Sequence, residues 1–215
     1  MKILVSISVS LCMLIIFFSM NTHQAFAYQK DPSKSHLVDI RKVDPWIVID
    51  LRYATTNNFT KKKIYPAAIP LLRKETAYKL AKVNQEVKKR GYRVKIWDGY
   101  RPFSAQRVLW NASPDKRYVA DPNKGSKHNR GAAVDITLVD QNRKEVIMPT
   151  GFDHFTPAAS RNSKTMNQRA RINLNYLTHV MKKHGFKTIN SEWWHYEDTN
   201  WAKYPLLDVP LEAFK

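Results

Sequence analysis

The chain has 215 residues, with 36 lysines and arginines against 18 aspartates and glutamates, a formal charge of +18 and one cysteine. That length suits a single domain with a real core, and a lone cysteine excludes a disulfide framework. So basic a balance permits anionic partners, but no RNP, helix-turn-helix or zinc-finger pattern is present, and nucleic acid is not an expected one.

Lys2, the apolar run Ile3 to Met20 and the small-x-small site Ala25-Phe26-Ala27 read as a secretory signal peptide over 1–27; an uncleaved anchor is the alternative. Cys12 lies inside it, so the chain from Tyr28 onward has no thiol and thiolate catalysis is excluded. The expected address is the periplasm or cell envelope, with no integral membrane span once the segment is removed. Lys2 is the segment's only charged residue, so the remainder stays strongly basic. Solvated charge is the first explanation of this, and loose attraction to anionic envelope polymers the second.

Residues 28–45 read as a polar, poorly ordered lead-in, and 46–215 as the folded domain. Trp46 to Tyr53 has strand composition, and Asn57 to Lys63 looks like a loop. Ala77, Leu80, Ala81 and Val87 recur at helical spacing between Lys74 and Arg90, with Glu75 in the first turn and Gly91 placed to end it. Tyr92 to Trp97 alternates as a strand and runs into Asp98-Gly99-Tyr100-Arg101-Pro102, where Pro102 opens a short helix through Trp110. After a loop at 111–127, Val134 to Val139 reads as a strand and Glu145 to Met148 as its partner. Asn167 to His184 reads as a second long helix burying Ile172, Tyr176, Val180 and Met181, ended by Gly185; Trp193 to Glu197 is the last strand. Helices and strands alternate without a repeated βαβ spacing, so the expected class is α+β.

Two segments carry the chemistry: Ser126-Lys-His128-Asn-Arg-Gly131-Ala-Ala-Val-Asp135 and Glu192-Trp-Trp-His195. A catalytic zinc needs three protein ligands, an open position for water and a base beside that water. His128, Asp135 and His195 suit the ligand roles, and Glu192 the base. Taken alone the His-x6-Asp pair says little, since a histidine is as well a hydrogen-bonded core residue, and the aromatic segment could be a plain strand. In a regular strand residues 192 and 195 face opposite ways, so a shared metal requires a bend, bulge or strand end between them. Arg101, after the glycine turn, could stabilise an oxyanion or pair with Asp98.

These pieces resemble the zinc D-alanyl-D-alanine dipeptidases, the type associated with vancomycin resistance, within the wider D-Ala-D-Ala metallopeptidases. The likeness runs through Asp50-Leu-Arg-Tyr53-Ala-Thr-Thr-Asn-Asn-Phe59-Thr, Trp97-Asp-Gly-Tyr-Arg101-Pro, Ser126-x-His128-x-x-Gly131-x-Ala-x-Asp135, Phe152-Asp153 and Glu192-Trp-Trp-His195-Tyr. Lys127 departs from it, standing where a small residue is usual. The resemblance implies one Zn2+ on His128, Asp135 and His195, Glu192 as base and Arg101 as transition-state stabiliser. It further implies Asp153 gripping a substrate ammonium, and Ser126 and Tyr53 lining the pocket. The implied fold is a single compact domain with a central, mainly antiparallel sheet flanked by helices. The implied substrate is a small D,D-dipeptide, cleaved to two D-alanines in cell-wall peptide turnover or glycopeptide resistance. An exported D,D-carboxypeptidase trimming peptidoglycan stem peptides is the alternative enzyme, and a non-catalytic envelope-binding module the alternative of another class.

Overall fold

A computed structural model describes residues 28–215; the signal segment read at 1–27, with Cys12, lies outside the described residues. The elements are β1 (Leu37–Asp39), α1 (Ile40–Val43), β2 (Val48–Ile49), β3 (Leu71–Arg73), α2 (Lys74–Lys88), β4 (Arg93–Asp98), α3 (Phe103–Ala112), β5 (Ala133–Val139), α4 (Gln168–Lys183), β6 (Phe186–Thr188) and β7 (His195–Asp198). Five strands form the central sheet in the order β2-β4-β5-β7-β6, antiparallel except for the β2–β4 pair. β1 and β3 form a separate antiparallel pair. The class is α+β, as the alternation of elements predicts. Among the described residues no helix is long and apolar enough to cross a membrane.

Period-two alternation sorts the sheet's two faces. Val134, Ile136 and Leu138 of β5, with Val94 and Ile96 of β4 and Tyr196 of β7, pack under Leu80, Val83 and Val87 of α2 and Leu177, Val180 and Met181 of α4. Each fully buried aliphatic side chain there contributes about 1.5–3 kcal/mol. Asp135 and its ladder partner His195 project from the opposite face. The helices α2 and α4 and the main aliphatic cluster therefore lie on one face, and the polar chemistry lies on the other.

Four sequence expectations are corrected. Residues 28–45 are part of the domain: Leu37 and Ile40 are buried, Asp39 caps α1 through the Arg41 N–H, and β1 pairs with β3. Their polar composition hides the few apolar side chains that do the anchoring. The Trp46–Tyr53 strand shrinks to Val48–Ile49, because after the Asp50 N–H bonds to the Ile96 carbonyl (2.9 Å) the chain tightens into a 3-10 turn at Arg52–Ala54, where Tyr53 is buried. Ile172 is 54% exposed; α4 buries Val180 and Met181 as predicted, but with Ala170, Leu174 and Leu177 in place of Ile172, so the stripe is rotated toward its start. The last strand begins at His195, not Trp193, so Glu192 lies in the bend before it. That strand end is the irregularity that the Glu192–His195 spacing demands.

Candidate metal centre

His128 opens a 3-10 turn, His128–Arg130, that closes on Gly131 in the left-handed region (φ 66°), and β5 follows at once. The turn reverses the chain so that His128 faces Asp135. A side chain at Gly131 would be strained and crowded: an added Cβ falls 2.6 Å from Leu37 Cδ2 and 3.2 Å from the Arg73 backbone nitrogen, which itself donates to the Gly131 carbonyl. Gly131→Ala should therefore lower unfolding free energy by roughly 1–3 kcal/mol, measured by urea denaturation of the metal-free protein.

Candidate ligand atoms of His128, Asp135 and His195 all lie within 4.8 Å of one another, and all three residues are buried. His128 Nε2 is 3.2 Å from His195 Nδ1 and 3.4 Å from Asp135 Oδ2, and His195 Nδ1 is 3.0 Å from Asp135 Oδ1. A tetrahedral ion held at about 2.0–2.1 Å spaces its donors about 3.3 Å apart, so these gaps fit one ion. The tautomers agree. His128 Nδ1 donates to the Gly99 carbonyl at 2.8 Å, which leaves the Nε2 lone pair free for the centre. The far nitrogen of His195, Nε2, faces Glu197 Oε1 at 3.4 Å, a carboxylate that orients the ring.

The charges respond to this crowding. Burial works against an Asp135 carboxylate, but His128 and then His195 outweigh it and hold its pKa below the usual range. Burial also opposes a charged His195, yet its hydrogen bonds to Asp135 and Glu197 prevail and lift its pKa to about 10. In the metal-free protein a proton thus occupies the place of a cation. Burial raises Glu192 to about 7, with Asp135 adding to the rise and His195 and Arg101 opposing it.

Glu192, Arg101, Ser126, Tyr53 and Asp153 join the three ligands in one cleft of about 230 Å³. Tyr53 donates its hydroxyl to both Asp153 oxygens, at 3.0 and 3.2 Å, across a hundred residues of chain. Asp153 takes a left-handed backbone (φ 56°), and its carboxyl is pushed well up by burial and by Asp135. Ser126 accepts the His128 N–H at 3.2 Å and so braces the ligand turn. Arg101 pairs with Asp98, its Nε and Nη2 donating to Asp98 Oδ2 at 3.0 and 2.7 Å; its Nη1 donates to Gln106 at 2.8 Å, and it also lines the cleft.

Sequence reading missed Tyr65, Gln106, Glu197 and Arg161, and saw in Asp98 only a partner for Arg101. Asp98 is fully buried and also accepts the Tyr65 hydroxyl at 2.7 Å. A shift of register between Ile96 and Asp98 in β4 sets it opposite Asp135, which no local pattern announces. Glu197 had a signal: two residues beyond His195 on a strand, it must share that histidine's face.

Two imidazoles and a carboxylate brought together over one sheet face, with the Glu192 carboxyl in the same cleft, are the side chains of a metallohydrolase centre. The sequence model described as D-ala-D-ala dipeptidase (Peptidase M15) matches residues 33–210. The D-alanyl-D-alanine dipeptidase of Escherichia coli is 39% identical over 180 residues, covering 84% of this chain and 93% of that one. The D-alanyl-D-alanine dipeptidase of Enterococcus faecalis is 30% identical over 172 residues, covering 69% and 84%. That of Streptomyces coelicolor is 31% identical over 171 residues, covering 68% and 83%. The chain belongs to the D-Ala-D-Ala dipeptidase family of metallopeptidases.

Proposed function

We propose that this protein is an exported zinc dipeptidase that hydrolyses D-alanyl-D-alanine to two D-alanines in cell-wall peptide turnover. The observation that carries the reading is the joint placement of the ligand triad, Glu192 and Asp153 in one small cleft. His128, Asp135 and His195 would hold one Zn2+, which supplies Lewis acidity and a water acidic enough to lose a proton near pH 7.

The remaining work falls to the chain's own side chains. Glu192 takes the proton from the attacking water and passes it to the departing amine, and its pKa of about 7 in the metal-free protein suits both transfers. Arg101, kept charged because Asp98 outweighs the cost of its burial, faces the oxygen on which negative charge develops. Asp153, oriented by Tyr53, receives the substrate's ammonium and so favours a free dipeptide over a longer peptide whose amine is acylated. The secretory segment at 1–27 supports export, where wall-derived dipeptide is the available substrate.

The test compares D-Ala-D-Ala with an N-acetylated tripeptide ending in D-Ala-D-Ala, with and without chelator. Cleavage confined to the free dipeptide and abolished by chelator is expected; equal cleavage of the blocked peptide would make the protein a D,D-carboxypeptidase. Asp153→Asn should raise KM for the dipeptide about 10²-fold with a smaller change in kcat, as expected when one partner of a buried charge pair is removed. Because burial favours the neutral Asp153 carboxyl, KM should fall as pH rises and then climb again once the dipeptide's ammonium deprotonates near about 8.

A further inference from the structure

Glu192 stands at the midpoint of the loop 189–195, three residues from either end, and a single buried side chain holds both ends. Arg161 Nε donates to the Ile189 carbonyl at 2.9 Å, and Arg161 Nη2 donates to the His195 carbonyl at 3.0 Å. We infer that Arg161 is the positioning residue for Glu192, its guanidinium fixing the span of the loop from which that carboxyl reaches the cleft. This rests on the reading of Glu192 as the base.

The clamp has further points of attachment. The Arg161 backbone N–H donates to the Asn190 carbonyl at 3.0 Å, and the Trp193 N–H donates to the Ala159 carbonyl at 3.0 Å, so the short segment 159–161 lies along the loop on both sides of Glu192. The guanidinium's remaining nitrogen, Nη1, donates to Thr178 Oγ1 at 2.9 Å, and its Cζ lies 4.5 Å from the centroid of the Tyr196 ring. Arg171 of α4 in turn donates to the Arg161 and Ser163 carbonyls, both at 2.7 Å. Position is thus passed from α4, through Arg171 and Arg161, to the loop. Arginine alone offers a planar fork of donors that can reach two carbonyls at once, while lysine is a point charge that would satisfy one. Arg161 does not itself line the cleft and bonds none of the three ligand side chains; it reaches the cleft wall only through the backbone carbonyls of Ile189 and His195. Its effect on Glu192 therefore passes through the loop backbone, with its charge also favouring the Glu192 carboxylate across space.

A displaced catalytic group costs rate before it costs binding. In the zinc-loaded full chain, Arg161→Gln should lower kcat for D-Ala-D-Ala roughly 10- to 100-fold while KM stays within about twofold. Arg161→Lys should fall between this variant and wild type. The double variant Arg161→Gln/Glu192→Gln should be no slower than Glu192→Gln alone, because a residue acting only through Glu192 has nothing left to position. In the metal-free protein, amide exchange at Trp193 should rise about tenfold or more in Arg161→Gln while amides inside α4, such as Leu177, keep their protection.

Factors that multiply in the double variant, an unchanged kcat, or exchange rising equally throughout the domain would each overturn the inference. If Arg161→Gln does not fold, the same cycle with Arg161→Lys decides the matter by the same criteria. If Glu192→Gln retains full activity, the functional reading fails instead. The Trp193 exchange then judges the clamp by itself, and no rise there refutes it.

Discussion

Glu192→Gln is expected to reduce kcat for D-Ala-D-Ala by about 10³-fold, the scale of a lost general base, with metal content unchanged at about one per chain. The carboxamide fills the same space and keeps one acceptor oxygen, but it cannot take the proton of the attacking water. It touches none of the three ligand side chains, so elemental analysis should not distinguish the variant from wild type. The pH profile checks the same residue. Burial raises Glu192 to about 7 in the metal-free protein, and a cation in the centre favours the carboxylate and draws that value down. The wild-type rate should therefore fall as pH drops through a value no higher than about 7, as Glu192 takes up a proton and stops being a base. In Glu192→Gln that acid limb should disappear. Rate retained in the variant, with its acid limb intact, would remove Glu192 from the mechanism and return the protein to a binding role.

His128→Ala should abolish both metal binding and hydrolysis, read by elemental analysis and by the dipeptide assay. With His128 gone, two donors remain, fewer than the three protein ligands of a catalytic site. The wild-type centre should show a matching linkage to pH. His195 has its pKa raised to about 10 in the metal-free protein, so a metal must displace its proton; affinity falls as pH is lowered from there, by up to about tenfold per unit. The stability that the protonated ring lends the metal-free fold has the opposite trend: it is complete below the unfolded histidine's pKa of about 6.5 and is lost as pH rises through about 10. Calorimetric titration in buffers of different ionisation enthalpy would count the released proton. Binding that releases none would contradict the charge state assigned to His195.

The sequence by itself determined the parts whose causes lie within a few residues. Periodic apolar spacing marked α2 and α4; Asn167 does cap α4 by accepting the Ala170 N–H, and Gly185 takes a left-handed backbone just beyond its end. The ligand set was legible for a similar reason, since side-chain chemistry travels with the residue and a triad plus a base leaves few other uses. The demand for a bend before His195 followed from strand geometry alone, and the structure meets it with the end of β7. The tertiary structure decided everything that depends on register between distant segments. The shift in β4 that brings Asp98 opposite Asp135, the meeting of Tyr53 with Asp153, and the reach of Arg161 to both ends of the Glu192 loop are set by how the sheet and α4 pack. The same cause explains the errors at Ile172 and in residues 28–45. Which stripe of a helix is buried, and whether a polar stretch is anchored, depends on the surface it meets, and that surface is built from strands far away in the chain.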